Sequence, residues 1–167
     1  EVRRADICDL GAMRDLVAGA EVVFHLASAH LAVALGDEAY WRINRDGARD
    51  LVRLCHEAGV RRFVHCSSVG VYGEITDPPA DESTPCRPDL IYEKSKLAGE
   101  EAVLAYQRET GFPLTVIRPV WVYGPGCPRK FGSRPRQPRC NQQWPSHLRP
   151  RYCCLWRNAR QPAPATT

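Results

Sequence analysis

Tyr92 and Lys96 stand four residues apart in the run Tyr92-Glu93-Lys94-Ser95-Lys96, and Ser68, the second residue of the pair Ser67-Ser68, lies 24 residues before that tyrosine. A phenol, an ammonium and a hydroxyl in this order suggest proton transfer at an alcohol or carbonyl carbon. On a helix, positions i and i+4 share a face, which would set the Lys96 charge beside the Tyr92 phenol. A nearby cation favours the phenolate and lowers a tyrosine pKa from its usual value of about 10, towards the range a general base needs. Ser68 would then donate a hydrogen bond to the reacting oxygen. The tyrosine–lysine pair alone fits a solvated helix face better than a site, so the elements that must position it decide between the two.

Those elements alternate. Residues 11–18 read as a short helix with Met13, Leu16 and Val17 on one side. Val22-Val23-Phe24-His25-Leu26-Ala27 is a nearly all-apolar run, which suits a buried parallel strand. Residues 39–58 read as a helix with Ile43, Leu51, Leu54 and Cys55 facing inward, and Gly59 follows as its C-cap. Phe63-Val64-His65-Cys66-Ser67 is the next strand. Residues 77–90, with Pro78, Pro79, Pro85 and Pro88, form a loop. Residues 92–109 make a helix closed by Thr110-Gly111, and Leu114-Thr115-Val116-Ile117 is a strand stopped by Pro119. The alternation predicts an α/β fold with a parallel sheet and right-handed crossovers. Such sheets bind ligands at the carboxyl ends of their strands. Here those ends are Leu26-Ala27-Ser28, Ser67-Ser68 and Arg118-Pro119.

The ordered set resembles the extended short-chain dehydrogenase/reductase family of the NAD-dependent epimerase/dehydratase type, from residue 6 to residue 126. Asp6-Ile7-Cys8-Asp9 is similar to the family's D-x-x-D. Val23 to Ser28 resembles the strand and turn beside the cofactor. Asn44-Arg45-Asp46-Gly47-Ala48 resembles its N-x-x-G-T helix. Phe63 to Gly73 resembles the strand and turn presenting the catalytic serine or threonine. Tyr92 to Lys96 and then Arg118 to Gly126 follow in order. The resemblance implies a Rossmann-type doubly wound sheet, NAD or NADP as cofactor, and Ser68, Tyr92 and Lys96 as catalytic residues. It also implies cofactor contacts from Asp6 and Ile7 at the adenine and from Leu26, Ala27, Ser28, Asn44, Ser67 and Pro119. Tyr92 and Lys96 would contact the cofactor as well, the lysine through the ribose hydroxyls. The implied substrate is a nucleotide sugar or a hydrophobic alcohol or ketone, and a homodimer of the full-length protein is the implied assembly. His25 and His65 are expected to be core or edge residues, and His30 a lesser candidate for lining the site.

The chain also departs from the family. It contains no G-x-x-G-x-x-G turn, the element whose helix N-terminus holds the pyrophosphate. In the strand order 3-2-1-4-5-6, residues 2–5 are expected as strand three and residues 22–26 as strand four, with strands one and two absent between them. Strand four then becomes a bare edge, an aggregation template. The expectation is a partial sheet of low stability without tight cofactor binding. Trp121 stands where nucleotide-sugar enzymes often place asparagine, which leaves room for a hydrophobic hydroxyl substrate, as in hydroxysteroid or flavonol dehydrogenases.

Charge divides the chain at the same place that the resemblance ends. Residues 1–127 hold 14 lysines and arginines against 19 acids, whereas residues 128–167 hold nine basic residues, seven prolines and no acid. Residues 1–126 are therefore read as the partial NAD(P)-binding domain and residues 127–167 as a low-order tail. The tail reads as an out-of-frame translation in preference to an Arg/Pro-rich nucleic-acid-binding segment. The eight cysteines show no metal pattern. Cys140, Cys153, Cys154 and His147 fit no zinc spacing, so no metal is expected. No apolar run approaches the roughly 18 residues of a membrane span, and the first residues carry no apolar signal region. A cytoplasmic location without membrane contact follows as the expectation. The first residue is Glu1, so the chain is expected to begin inside a longer protein.

Overall fold

The computed structural model describes residues 2–30, 35–76 and 78–120. Expectations placed on Trp121, Cys127, Cys140, His147, Cys153, Cys154 and the basic tail lie outside those residues.

The chain first turns at Asp6–Asp9, and the Asp9 carboxylate accepts from the Ala12 amide at 3.1 Å. That cap opens helix α1, Leu10–Val17, because a free first-turn amide needs an acceptor. Met13 and Val17 are buried, whereas Leu16, expected beside them, is exposed. Strand β1, Val22–His25, follows. One continuous helical stretch comes next: α2, Asp37–Tyr40, then a π-helical turn, Trp41–Asp46, then α3, Gly47–Glu57. It ends where Gly59 takes φ +75°, the left-handed conformation that terminates helices at low cost for glycine. Strand β2 is Arg62–Cys66, a 3₁₀ turn runs Val69–Tyr72, α4 is Ile91–Thr110 and β3 is Leu114–Ile117.

The three strands are all parallel in the order β1-β2-β3. Val22 pairs with Arg62 and His25 with His65, and Cys66 with Ile117. Right-handed crossovers that advance in one direction place their helices on one face of a sheet. Accordingly α3 packs on α4, and α1 packs on α3. The core lies between that helix layer and the sheet. It is built from Met13, Val17, Leu51, Val52, Phe63, Val103 and Leu114 among others. Each fully buried side chain such as Val52 or Phe63 contributes about 1.5–3 kcal/mol. The other sheet face lacks a helix layer among the described residues. There Phe24 remains 64% exposed, and Val22 and Ile117 are open as well.

This architecture is one half of the doubly wound sheet anticipated from sequence, with one correction. Residues 2–5 do not form strand three. A strand exists only by pairing, and the sequence between these residues and β1 supplies no neighbour for them. Among the described residues β1 is an edge strand with no outer neighbour, as expected. The inward position Ile43 is only partly buried, because the π turn rotates that segment.

Candidate active site

Three strand ends converge. Ser67 donates its amide to the Ile117 carbonyl at 2.8 Å and Val69 to that of Pro119 at 3.1 Å, so the chain leaving β2 stays laced to the chain leaving β3. Ser68 begins the 3₁₀ turn, its Oγ accepting from the Gly70 amide at 3.1 Å. A Cβ on Gly70 would meet Glu93 Cγ at 3.0 Å, so the first turn of α4 rests directly on this 3₁₀ turn. Glu93 also accepts from the Leu90 amide at 3.3 Å, closing the helix N-terminus from within its own first turn.

Tyr92 is thereby delivered to Ser68. Its phenol lies near the Ser68 and Ser28 hydroxyls, and the His30 ring meets the Tyr92 ring edge-on with centroids 5.3 Å apart. Burial pushes the Tyr92 pKa above its ordinary value, against the two hydroxyls, which favour the phenolate. This corrects the expectation that Lys96 lowers it. Lys96 does share the helix, but it is only 2% exposed, and its ammonium donates to the Cys66 carbonyl at 2.5 Å. Burial pulls the Lys96 pKa down, while Cys66 and Glu100 push it up. Ser67 is buried too, and its Oγ has no hydrogen-bond partner among the described residues.

The π turn has a local purpose. One extra residue per turn brings Asn44 into the interior, where its Oδ1 accepts from the Ala29 amide at 2.8 Å. Its Nδ2 donates to the Ala29 carbonyl at 3.1 Å and to Ser95 Oγ at 2.9 Å. Ser95 in turn donates to the Tyr92 carbonyl at 2.7 Å. Asn44 is therefore spent on protein groups and acts from behind the site, tying the turn after β1 to the Tyr92 helix. Gly99 permits the contact, since a Cβ there would lie 2.1 Å from the Asn44 carbonyl oxygen.

The remaining anticipated residues are more loosely placed. Asp6 is exposed, its carboxylate accepting from the Cys8 amide at 2.9 Å. Ile7 packs partly against the core and against Gly47. Leu26, Ala27 and Ser28 are exposed at the end of β1, and Pro119 is partly buried beside Val69. His25 and His65 are buried, as expected for core residues.

One constellation was not anticipated. Arg118 grips Glu100 through two hydrogen bonds, 3.1 Å and 2.5 Å, and donates to the Tyr72 hydroxyl at 2.7 Å. That hydroxyl donates in turn to the Asp81 carbonyl at 2.8 Å. The network joins α4, the exit of β3, the Ser68 turn and the following loop. The available signal was that Glu100 lies four residues beyond Lys96, hence on the same helix face. Among the described residues no cluster of His, Cys, Asp or Glu could hold a metal ion, and no helix is long and apolar enough to cross a membrane.

Known proteins resemble this chain in sequence and in fold. The model of the NAD dependent epimerase/dehydratase family matches residues 1–141. The chain is 36% identical over 124 residues to dTDP-glucose 4,6-dehydratase of Streptomyces niveus, covering 73% of this chain and 37% of that protein. It is 33% identical over 115 residues to 3beta-hydroxysteroid-dehydrogenase/decarboxylase isoform 1 of Arabidopsis thaliana, covering 65% of this chain and 25% of that protein. Among solved structures, DesIV, a dTDP-glucose 4,6-dehydratase of Streptomyces venezuelae with NAD bound, superposes with a TM-score of 0.64 at 30% identity. That match covers 68% of this chain and 36% of DesIV. The chain thus spans little more than a third of the length of the dehydratases it matches.

Proposed function

Because the chain belongs to the NAD dependent epimerase/dehydratase family, we propose that it supplies the proton-handling part of an NAD(P)-dependent site that acts at a hydroxyl-bearing carbon of a nucleotide sugar. The observation that supports this reading is the first turn of α4 resting on the Ser68 turn, which sets the Tyr92 phenol near the Ser68 hydroxyl. When bound, a nicotinamide cofactor supplies hydride transfer. Tyr92 is the acid/base. Its phenol is protonated near neutral pH, as tyrosine ordinarily is and more firmly so through burial, and exchanges its proton with the substrate oxygen. Ser68 holds that oxygen by a hydrogen bond. Lys96 is the cation behind them, available to ribose hydroxyls. Leu26, Ala27 and Ser28 at the exposed end of β1 fit the edge of a ribose–phosphate chain, with Ser67 and Pro119 at the neighbouring strand ends. Asp6 and Ile7 fall to the adenine side. Asn44 positions Ala29 and Ser95 instead of touching the ligand.

The 167 residues alone contain no glycine turn for the pyrophosphate, so the segment by itself is inactive in this proposal. The full polypeptide carries the activity and pairs with a second copy. A second reading is a hydroxysteroid-like dehydrogenase. Two observations favour it: the Arabidopsis relative and the indole of Trp121, which carries no charge and accepts no hydrogen bond. The test is turnover by the full polypeptide with NAD or NADP, offered dTDP-glucose in one arm and a 3β-hydroxysteroid in the other. Turnover of the nucleotide sugar supports the first reading, turnover of the sterol alone supports the second, and turnover of neither refutes both.

A further inference from the structure

Beneath Lys96 lie two buried histidines that the proposed chemistry does not use, beside the buried Ser67. His25 and His65 are register partners on β1 and β2, with ring centroids 5.3 Å apart and exposures of 2% and 0%. Alternation puts His65 on the same sheet face as Phe63, which belongs to the core under the helices. The His25 ring is 6.0 Å from that of Phe63. Both imidazoles therefore face the helix layer from which Lys96 descends to the Cys66 carbonyl. Ser67, the next residue, is buried as well.

Within this group His25 Nε2, both ring nitrogens of His65 and Ser67 Oγ meet no partner among the described residues. An ammonium has three donors and no acceptor, and one donor of Lys96 is engaged with Cys66. Each unpaired buried polar atom costs about 1–3 kcal/mol, and native interiors keep few of them. Beside one buried cation they are chemically complementary: each neutral imidazole offers one lone pair and one N–H, the hydroxyl offers lone pairs, and the ammonium offers protons. Internal water with two to four polar neighbours is the usual means of joining such groups.

We infer that His25, His65 and Ser67 form an internal acceptor set, linked to the Lys96 ammonium through buried water, that keeps this lysine charged inside the fold. His65 is then a positioning residue for Lys96. The role requires both imidazoles to be neutral, and burial together with the Lys96 charge holds both of their pKa values far below the usual one. The other titratable groups that act on Lys96 are Cys66 and Glu100, with Tyr92 four residues before it on α4. The inference rests on the proposed use of Lys96 only for its biological meaning, because the geometry stands without it.

The test is a ¹⁵N-detected titration of the Lys96 ammonium in the chain and in two variants. His65→Leu is expected to lower the Lys96 pKa by at least one unit, a tenfold loss of proton affinity, and His65→Gln to restore most of it. A His65→Leu titration that coincides with the native one, or lies above it, overturns the inference. Where His65→Leu does not fold, ¹⁵N shifts of the imidazoles in the unsubstituted chain decide. A neutral ring whose acceptor nitrogen is hydrogen-bonded from pH 8 to pH 5 is expected, and a free acceptor nitrogen contradicts it. Neither measurement involves turnover, so failure here leaves the Tyr92 proposal standing, and failure of that proposal leaves this one standing.

Discussion

The ammonium of Lys96 donates to the carbonyl oxygen of Cys66 at 2.5 Å, so the lysine of α4 is fastened to the end of β2 and not to the phenol one turn away. Burial makes its charge costly in the folded state. Lys96→Met removes that cost and takes the donor from the Cys66 carbonyl and from the water-linked acceptors, effects of about 1–3 kcal/mol with opposite sign. The variant is expected to unfold in urea within about 1 kcal/mol of the native chain, while the full polypeptide carrying it loses turnover, as stability and function often trade. A loss of stability above about 3 kcal/mol would show that the lysine is structural.

Acid should weaken the fold through His25 and His65. Burial first, then the Lys96 charge, pushes their pKa values down from 6.5 to about 3 and about 2. Between those values and 6.5 the unfolded chain binds more protons than the folded one. The stabilisation is therefore complete above pH 6.5 and is lost as pH falls. The slope approaches about 1.4 kcal/mol per pH unit for each imidazole. Urea midpoints from pH 7 to pH 4.5 measure it, and replacing both histidines with leucine should flatten the dependence. An unchanged slope in that variant assigns acid sensitivity to other groups.

Glu100 is 2% exposed and paired with Arg118. Removing one member of a buried pair costs about 3–5 kcal/mol, and the partial exposure of Arg118 brings the figure for Glu100→Gln towards the lower end. Because both residues serve one network, Glu100→Gln combined with Arg118→Met should cost less than the sum of the single changes. Additive losses in a double-mutant cycle would mean that the two side chains act independently.

Gly99→Ala should destabilise in spite of its helix propensity. Alanine gains about 1 kcal/mol over glycine within a helix, but the new methyl would lie 2.1 Å from the Asn44 carbonyl oxygen. Forced separation of packed elements costs about 1–3 kcal/mol and would pull Asn44 from Ala29 and Ser95. Thermal melting of the variant decides between these terms, and a raised midpoint would mean that α4 shifts freely past the π turn.

The parts of this fold that were legible in the sequence are those that a segment specifies by itself. Val22-Val23-Phe24 and Leu114–Ile117 announce strands by their apolar residues, although one face of each is open rather than buried as expected, and Gly59 and Gly111 mark helix ends. Pairing between distant segments was not legible. Residues 2–5 form no strand, because strand formation depends on a neighbouring strand. The π turn around Asn44 has no composition signature. Whether Lys96 turns to Tyr92 or to Cys66, and whether Glu100 meets Arg118, depends on the depth at which α4 sits on the sheet. That depth is fixed by Gly99 and Gly70, two residues whose meaning appears only when their neighbours are known. The grouping of Ser68 with Tyr92 was legible because strand end and helix start follow each other along the chain.

The central claim, that Tyr92 moves the proton, is tested most directly by Tyr92→Phe in the full polypeptide. The substitution removes one oxygen and keeps the ring that packs on His30. Loss of a positioned acid/base typically costs 10²- to 10⁴-fold in rate. The predicted result is a fall of that size in kcat with folding and cofactor binding retained. Turnover by the Tyr92→Phe variant within a few-fold of the native rate would contradict the claim.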